Sequence, residues 1–386
     1  MAFFESPSTS PAERVRAASG RVASASGTWV LIGENVDHFG GVTLVGTSSL
    51  RAAAAVSPRT DGVISIAARG PLGQEFSAQL PYSDEPADGL ARRWWGLVHT
   101  LVQRQVLSRD TSGMDITVES DVPVGAGLGA LYAADAAIAL ALAGGHDDVD
   151  TAPFRARLAE ICSHAVNTYS SLPVLRARHS VALRGAEGVS VVDYADGSLT
   201  QAPHPSRHGV RVFSVSQELG APFTQSREAI AERRAFIDAA CSNFGVPSLR
   251  QLPDAPGRAV QWVEARRAAG DTNAPEPEAA RRWVAFCESE TLRSLAAAKA
   301  LRSRRANELF TLLNSPSEAH DLASPDALVA LARKRGAVAA RPAAIGTSDA
   351  VIAFVPVQES DSFAAAMARE FEVVEVAAGE PARLEG

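Results

Sequence analysis

The sequence predicts an α+β fold in two domains, and three observations lead to that prediction. Short segments that alternate apolar and polar residues, as strands do, precede the first long helical pattern. Several strands before the long helices favour a mixed or antiparallel sheet with helices packed on one face. The chain has 386 residues, and single cores rarely grow past about 250 to 300 residues. We therefore expect an N-terminal domain at 1–200 and a C-terminal domain at 201–386, divided near 197–209.

Individual elements follow from local patterns. Runs rich in Val, Ile and Thr predict strands at 30–32, 42–56, 62–67, 114–118, 189–192, 210–215 and 351–355. Apolar residues three and four positions apart predict helices at 92–107, 154–169, 227–245, 259–268, 278–300, 306–313 and 327–335. A short helix is expected at 11–18, because proline suits a first helical turn.

Composition restricts the possible partners and the location of the protein. Hydrophobic residues make up 46% of the chain, the net charge is −7, and the arginines are scattered rather than massed. This pattern argues against nucleic acid. The three cysteines lie far apart without CxxC or CxxH spacing, so neither a disulfide framework nor a zinc site is expected. No apolar run approaches the roughly 20 residues of a membrane span, and the first residues do not resemble a signal peptide. We expect a cytoplasmic protein that has no membrane partner.

The first candidate site is the stretch 27–41, GTWVLIGENVDHFGG. A short apolar run, suited to a buried strand, ends at a glycine, and Glu34, Asp37 and His38 follow in quick succession. Carboxylates accept hydrogen bonds from sugar hydroxyls, and histidine either donates or accepts. These residues therefore suit a small polyhydroxylated ligand. A strand-turn-strand hairpin with solvated acids is the alternative interpretation.

The second candidate site is the glycine-rich stretch 121–135, which runs into an Ala/Leu-rich helix. Gly125, Gly127 and Gly129 lie on a loop between a predicted strand and that helix. Such a turn exposes backbone N–H groups, and the helix dipole favours anions there. A plain strand-to-helix turn is the alternative. Asp135 follows the loop within about one helical turn. Its carboxylate is expected to repel a triphosphate bound at the loop.

The stretch 27–41 resembles the signature of the galactokinase family, G-R-V-N-L-I-G-E-H-T-D-Y-N-G-G. Leu31 to Glu34, Asp37 and Gly40-Gly41 match in register, and His38 stands at the tyrosine position. The arginine of the family pattern falls on Thr28. The resemblance covers nearly the whole chain, from about residue 21 to about residue 369.

Two further motifs resemble the GHMP kinases, the superfamily of small-molecule kinases that includes the galactokinases. Pro123, Gly127 and Leu128 match the phosphate-binding motif P-x-x-x-G-L-x-S-S-A, but after Gly129 the two serine positions carry Ala130 and Leu131. The stretch 340–355 aligns with A-R-M-T-G-G-G-F-G-G-C-A-I-A-L-V. Only Gly346 survives of the five glycines.

Two residues that serve the sugar in the family are also replaced. The family aspartate beside the reacting sugar hydroxyl falls on Arg178, and a sugar-contacting tyrosine falls on Ile230. Arginine stays protonated at any accessible pH and cannot act as a general base. No catalytic residue of the family pattern is intact, since its arginine and aspartate positions are Thr28 and Arg178.

The resemblance implies a two-domain GHMP kinase fold with a ligand cleft between the domains. It implies ATP and Mg²⁺ as cofactors, galactose or a related hexose as ligand, and ATP-dependent formation of galactose 1-phosphate as the family reaction. Glu34, Asp37 and His38 would then bind the sugar. The nucleotide would lie against Gly125, Gly127, Leu128, Gly129 and Gly346. No metal ligand is assigned.

Three hypotheses follow from the replaced residues. In the first, a catalytically impaired pseudokinase binds a sugar and acts as a sensor or as the partner of another protein, and Arg178 pairs with Asp37 or Glu34. In the second, the protein is an active sugar kinase in which Arg176 or Arg178 replaces the missing arginine and Asp121 or Asp135 holds magnesium. In the third, the site binds no ligand and is filled by its own side chains.

Overall fold

Two β-sheets with their associated helices form the fold in a computed structural model. The structure describes residues 8–16, 18, 20–219, 226–316 and 321–386. The first seven residues, for which no signal peptide was expected, lie outside this part of the chain. The strands are β1 Arg21–Ile32, β2 Val42–Pro58, β3 Val63–Arg69, β4 Glu75–Pro81, β5 Met114–Ser120, β6 Val189–Asp193, β7 Ser198–Ala202, β8 Val210–Ser216, β9 Ala339–Pro342, β10 Val351–Pro356, β11 Glu372–Glu375 and β12 Arg383–Glu385.

The helices alternate with these strands along the chain. They are α1 Pro11–Val15, α2 Gly89–Gln103, α3 Ala130–Ala143, α4 Ala152–Tyr169, α5 Arg176–Arg184, α6 Arg227–Phe244, α7 Ala255–Ala268, α8 Pro277–Arg302, α9 Ala306–Asn314, α10 Asp326–Lys334 and α11 Ser360–Met367. None of these described helices is long and apolar enough to cross a membrane.

The first sheet has the order β12-β1-β2-β5-β3-β4, and β6 and β7 extend it alongside the first half of β2. Its pairings are antiparallel except for β3 with β5. The second sheet has the order β11-β8-β10-β9 and is antiparallel throughout. The mixed α+β fold class predicted from the sequence is confirmed.

Helix α3 lies at the centre of the larger core. Its Ala/Leu-rich sequence leaves nearly every residue buried, and it packs against β1 and β2 and beside α2, α4 and α5. Small side chains let these elements approach closely, and close packing resists displacement. The glycine-rich loop is therefore held on a rigid helix.

Helix α1 covers the face of the first sheet opposite to α3. The expectation that helices pack on one face only is therefore wrong for this sheet. Ala12 and Val15 pack against Val22, Ala53 and Ala55. Successive strand residues point to opposite faces. Apolar residues on both faces of β1 and β2 therefore need cover on both sides.

Helices α6, α7 and α8 form a second core that supports the turn after β1. Val36 and Phe39, from that turn, are buried among Phe236, Trp283 and neighbouring apolar residues. This packing fixes the backbone of the stretch 33–41. The charged side chains of the turn are thereby held in place.

Most predicted elements are present with shifts of a few residues at their ends, but β1 begins at Arg21, nine residues before the predicted strand at 30–32. Strands β4, β7, β9, β11 and β12 and helices α5 and α11 were not predicted. The division at 200/201 remains a prediction. The first sheet's β7 ends at Ala202 and the second sheet's β8 begins at Val210, but β12 returns to pair with β1.

Candidate functional site

The glycine-rich loop adopts a backbone that requires its glycines. Gly125, Gly127 and Gly129 have φ angles of 92°, 68° and 67°, in a region that side chains with a Cβ atom rarely adopt. A Cβ atom on Gly129 would also lie 2.8 Å from both Thr28 Oγ1 and Arg178 Nη1. The loop therefore lies directly against these two residues, and α3 begins at the next position, Ala130.

Three carbonyl groups of this loop are bound by the rest of the protein. The Ser214 hydroxyl donates to Ala126 O at 2.6 Å, the Arg178 Nη2 group to Gly127 O at 3.0 Å, and the Thr28 N–H to Leu128 O at 2.8 Å. Within the described part of the chain, no N–H of 125–129 donates to a protein acceptor. The first turn of α3 has no side-chain cap. These free donors favour an anion, as helix N-termini generally do.

A cleft of about 110 Å³ lies beside the loop. Its walls are the loop, the first turn of α3, the segment 172–175, Arg178 and the pair Thr347 and Ser348. The structure thus brings Gly125, Gly127, Leu128 and Gly129 together at one cleft. Gly346 does not line it, and a Cβ atom there would contact Ser226, Ile230 and Leu322 instead.

Arg178 is buried, with 3% of its surface exposed. Its guanidinium donates to Thr28 O and Gly127 O and lies over the Tyr132 ring, 5.8 Å from the centroid. Burial lowers the pKa of Arg178 to about 10, so it remains charged at neutral pH. The ion pair expected with Asp37 or Glu34 is not formed. Among the described residues, the partners of Arg178 are carbonyl oxygens and an aromatic ring.

Asp135 is neutralised rather than exposed to a ligand. It is buried with Arg93, whose Nη2 lies 2.5 Å from Oδ2, and it accepts from the Trp94 indole at 3.0 Å and from His179 at 3.0 Å. The Ser163 hydroxyl lies 3.1 Å from the other ring nitrogen of His179. Burial alone would raise the pKa of Asp135, but the Arg93 charge and the His179 hydrogen bond lower it to about 2. The repulsion expected between Asp135 and a phosphate is therefore cancelled locally.

Glu34 is part of a buried ionic cluster. Its Oε1 lies 3.5 Å from Arg341 Nη2, which lies 3.6 Å from Glu290 Oε2. Arg293 Nη1 contacts the other oxygen of Glu290 at 2.6 Å. Burial raises the pKa of Glu34, and the Arg341 charge partly offsets this effect. The matching arginine of the third motif thus holds the glutamate of the first.

Asp37 and His38 lie at the edge of a second cleft. Asp37 is buried and 3.4 Å from Arg234 Nη2, which also donates to Val174 O at 2.7 Å. His38 Nδ1 lies 2.8 Å from Asp238 Oδ1, and its Nε2 lies 4.0 Å from Asp37 Oδ2. The cleft beside them has a volume of about 450 Å³ and shares Leu172 and Pro173 with the cleft at the glycine loop. The two clefts therefore adjoin. Of the three residues expected to bind a sugar, His38 lines the second cleft, whereas Glu34 and Asp37 are buried and line neither of the two.

Comparison with known proteins agrees with this geometry. No family model matches the chain. Galactokinase from Streptomyces coelicolor (strain ATCC BAA-471 / A3(2) / M145) is 28% identical over 297 residues, which are 74% of this chain and 72% of that protein. The structure of Lactococcus lactis galactokinase complexed with galactose matches with a TM-score of 0.74 at 16% identity, covering 96% of this chain and 98% of that one.

Kinases for other small molecules have the same fold. Mevalonate kinase from Methanococcus jannaschii matches with a TM-score of 0.54 at 12% identity, covering 96% of this chain and 99% of that one. Homoserine kinase from Cytophaga hutchinsonii also matches with a TM-score of 0.54, at 12% identity, covering 95% of this chain and 97% of that one. The chain is similar in sequence to a galactokinase and has the fold of the GHMP kinases.

Magnesium does not fit the residues of this galactokinase-like site. Mg²⁺ requires oxygen ligands, whereas Ala130 and Leu131 offer none at the positions of the family serines. Asp121 contacts Arg14 at 2.7 Å, and Asp135 contacts Arg93. Neither carboxylate is therefore free to bind magnesium, in contrast to the second hypothesis. No cluster of three His, Cys, Asp or Glu side chains suited to a metal occurs among the described residues.

Sequence reasoning missed two side chains that complete the sugar-side cleft of the galactokinase-like protein. Arg234 and Asp238 lie one turn apart on α6 and contact Asp37 and His38. The spacing of four residues places them on one face of the helix. Their partners are about two hundred residues away in sequence, so only the resemblance of α6 to the family helix offered a signal.

Proposed function

We propose that this galactokinase-like protein binds a hexose or related polyol and is impaired in phosphoryl transfer, acting as a sugar-responsive regulator. Phosphoryl transfer depends mainly on positioning and on electrostatic stabilisation of the transferred group. Both requirements are weakened here, whereas the groups that suit a sugar are present. The proposal is therefore a binding function in a kinase fold.

Arg178 is the observation on which the proposal rests. It occupies the position of the family aspartate, and its guanidinium is bound to Thr28 O and Gly127 O. A protonated guanidinium cannot accept the proton of a sugar hydroxyl. Loss of one preorganised catalytic group typically costs about 2.7 to 4 kcal/mol. Loss of the serine hydroxyls at Ala130 and Leu131 adds to that impairment.

The cleft beside Asp37 and His38 has the composition expected of a polyol site. Charged and amide-bearing side chains, among them Asn167 and Arg234, stand around an apolar patch formed by Leu172, Pro173 and Ile230. Hydroxyl groups of a sugar need donors and acceptors, and its C–H groups need apolar contact. Galactose is the first sugar to test, because the Lactococcus lactis galactokinase structure contains it.

An active sugar kinase is the second candidate, and the pair of His38 and Asp238 favours it. A carboxylate 2.8 Å from Nδ1 fixes the orientation of the ring and leaves Nε2 as a potential base. In that candidate, His38 accepts the proton of the sugar hydroxyl in place of the family aspartate. Replacing His38 with Gln would then abolish turnover without abolishing sugar binding.

The test combines calorimetry with a transfer assay. Purified protein is titrated with galactose and with Mg-ATP, and ADP formation is measured beside Streptomyces coelicolor galactokinase as the positive control. We expect saturable heat with galactose and a turnover at least about a hundredfold below the control. Turnover near the control rate would establish the active kinase. No heat with any sugar would contradict the proposal and favour a site without a ligand. Asp110→Asn, an exposed change, serves as the control variant.

A further inference from the structure

Arg178 differs from the other buried arginines in its electrostatic environment. Four arginines are buried among the described residues. Arg93 contacts Asp135, Arg155 contacts Asp150, and Arg341 contacts Glu34 and Glu290. Within the same part of the chain, Arg178 contacts no carboxylate. Burying a charge is costly unless an opposite charge compensates it.

Arg178, whose charge only Glu34 offsets and only from a distance, lines the small cleft at the glycine loop. The loop adds the free N–H groups of 125–129. Thr347 Oγ1, in the wall of the cleft, is buried without a hydrogen-bond partner among the described residues, as is Thr28 Oγ1 next to Gly129. A guanidinium, backbone N–H groups and hydroxyl groups are the donors that bind phosphate oxygens. The donor set therefore points to an anion with several oxygen atoms.

The size of the cleft restricts that anion. A volume of about 110 Å³ is well below the roughly 300 to 1,000 Å³ of pockets that hold drug-sized ligands. One phosphate group suits this space better than a complete nucleoside triphosphate. The adjoining cleft of about 450 Å³, reached past Leu172 and Pro173, offers polar groups for a polyol.

We propose that Arg178 makes the cleft at the glycine loop a magnesium-independent site for the phosphate group of a phosphate monoester of a small polyol. The phosphate lies against Arg178 and the loop, and the polyol extends towards His38 and Arg234. This inference rests on the proposed impairment of phosphoryl transfer and deepens it by naming the class of ligand. Arg178 takes the charge-balancing role that a metal ion has at other phosphate sites.

Calorimetry in buffer containing EDTA tests this inference with galactose 1-phosphate, inorganic phosphate and galactose as separate probes. We expect galactose 1-phosphate to bind most tightly and added Mg²⁺ to change its affinity by less than about threefold. Arg178→Gln should weaken binding of the ester about ten- to a hundredfold, as loss of a charged hydrogen-bond donor does. Arg176→Gln is the matched control, since it removes the same charge from a partly exposed position two residues away.

A second variant tests the inference independently in case Arg178→Gln does not fold. Leu131→Asp introduces a negative charge at the wall of the cleft and should abolish ester binding while galactose still binds. An absolute requirement for Mg²⁺, or unchanged ester affinity in both variants, would overturn the inference. Galactose binding with no ester binding would overturn it and leave the proposed function standing. Ester binding with no galactose binding would support it and count against the free-sugar site. Equal affinity for inorganic phosphate and the ester would show that the polyol part of the ligand does not contribute to binding, which overturns that part of the inference.

Discussion

Two buried arginines lie on the ring of Tyr132 and differ in one respect, the presence of a carboxylate partner. The guanidinium carbons of Arg93 and Arg178 lie 5.4 Å and 5.8 Å from the ring centroid. Arg93 is paired with Asp135, and that pairing raises the pKa of Arg93 despite its burial. Arg178 contacts only carbonyl oxygens and the ring, and burial lowers its pKa to about 10.

This difference separates a structural ion pair from a position prepared for a ligand. The pair of Arg93 and Asp135 is completed by Trp94 and His179, so the charges balance inside the protein. No carboxylate of the described residues contacts Arg178, and Glu34 offsets its charge only from a longer distance. The two arginines beside Tyr132 therefore have different roles.

The largest effect is expected for Arg93→Met. Its loss leaves Asp135 as a buried charge without its partner, which typically costs about 3 to 5 kcal/mol. Chemical denaturation monitored by circular dichroism measures the free energy of unfolding. Arg92→Met is the matched control, since Arg92 pairs with Glu85 nearer the surface, and it should cost less than about 1 kcal/mol. A loss below about 1 kcal/mol for Arg93→Met would mean that the pair is not a structural one.

Acid should also weaken the pair of Arg93 and Asp135, with a smaller loss of stability than Arg93→Met causes. The folded-state pKa of Asp135 is about 2, below the value of about 3.9 in an unfolded chain. A depressed pKa contributes stability above the unfolded value, and that stability is lost as the pH falls from about 4 towards 2. The contribution is about 2 to 3 kcal/mol. Denaturation midpoints between pH 6 and pH 2 should fall more steeply for the wild type than for Asp135→Asn. Parallel curves for the two proteins would rule out this contribution.

Much of the fold was predictable because it depends on local patterns. The alternation in β3 and β5 and the Ala/Leu content of α3 indicated these elements directly. By contrast, β4 was missed because EFSAQLP, although it alternates polar and apolar residues, contains no Val, Ile or Thr, and its strand pairs only with β3 at the sheet edge. The pairing of β12 with β1 joins residues more than three hundred positions apart. No local pattern contains that information.

The candidate site was predictable in its backbone and not in its contacts. The three loop glycines and Arg178 were identified from the sequence, and they do line one cleft. The expected partner of Arg178 was a carboxylate, yet Arg341 and Arg234 contact Glu34 and Asp37 instead. Competition between arginines for a carboxylate is decided by tertiary packing, which spacing along the chain does not reveal.

Tyr132→Phe should lower the free energy of unfolding by a moderate amount. The Tyr132 hydroxyl donates to Pro173 O at 3.2 Å and accepts from the Leu175 N–H at 3.0 Å. Losing two hydrogen bonds while the ring remains should cost about 1 to 2 kcal/mol. Thermal and urea denaturation would measure this loss. If the cost exceeded that of Arg93→Met, the segment 172–175, rather than the ion pair, would be the main support of the site.

The smallest effect on stability is expected for Arg178→Met, although this residue is as deeply buried as Arg93. Its removal deprives Thr28 O and Gly127 O of donors, which is unfavourable. It also removes a desolvated charge that has no carboxylate partner, which is favourable. Because these contributions oppose each other, the free energy of unfolding should change by about 1 kcal/mol or less in ligand-free protein. Urea denaturation beside Arg93→Met measures the contrast. A loss as large as that of Arg93→Met would show that the protein itself compensates the charge of Arg178, and the cleft would then need no anion.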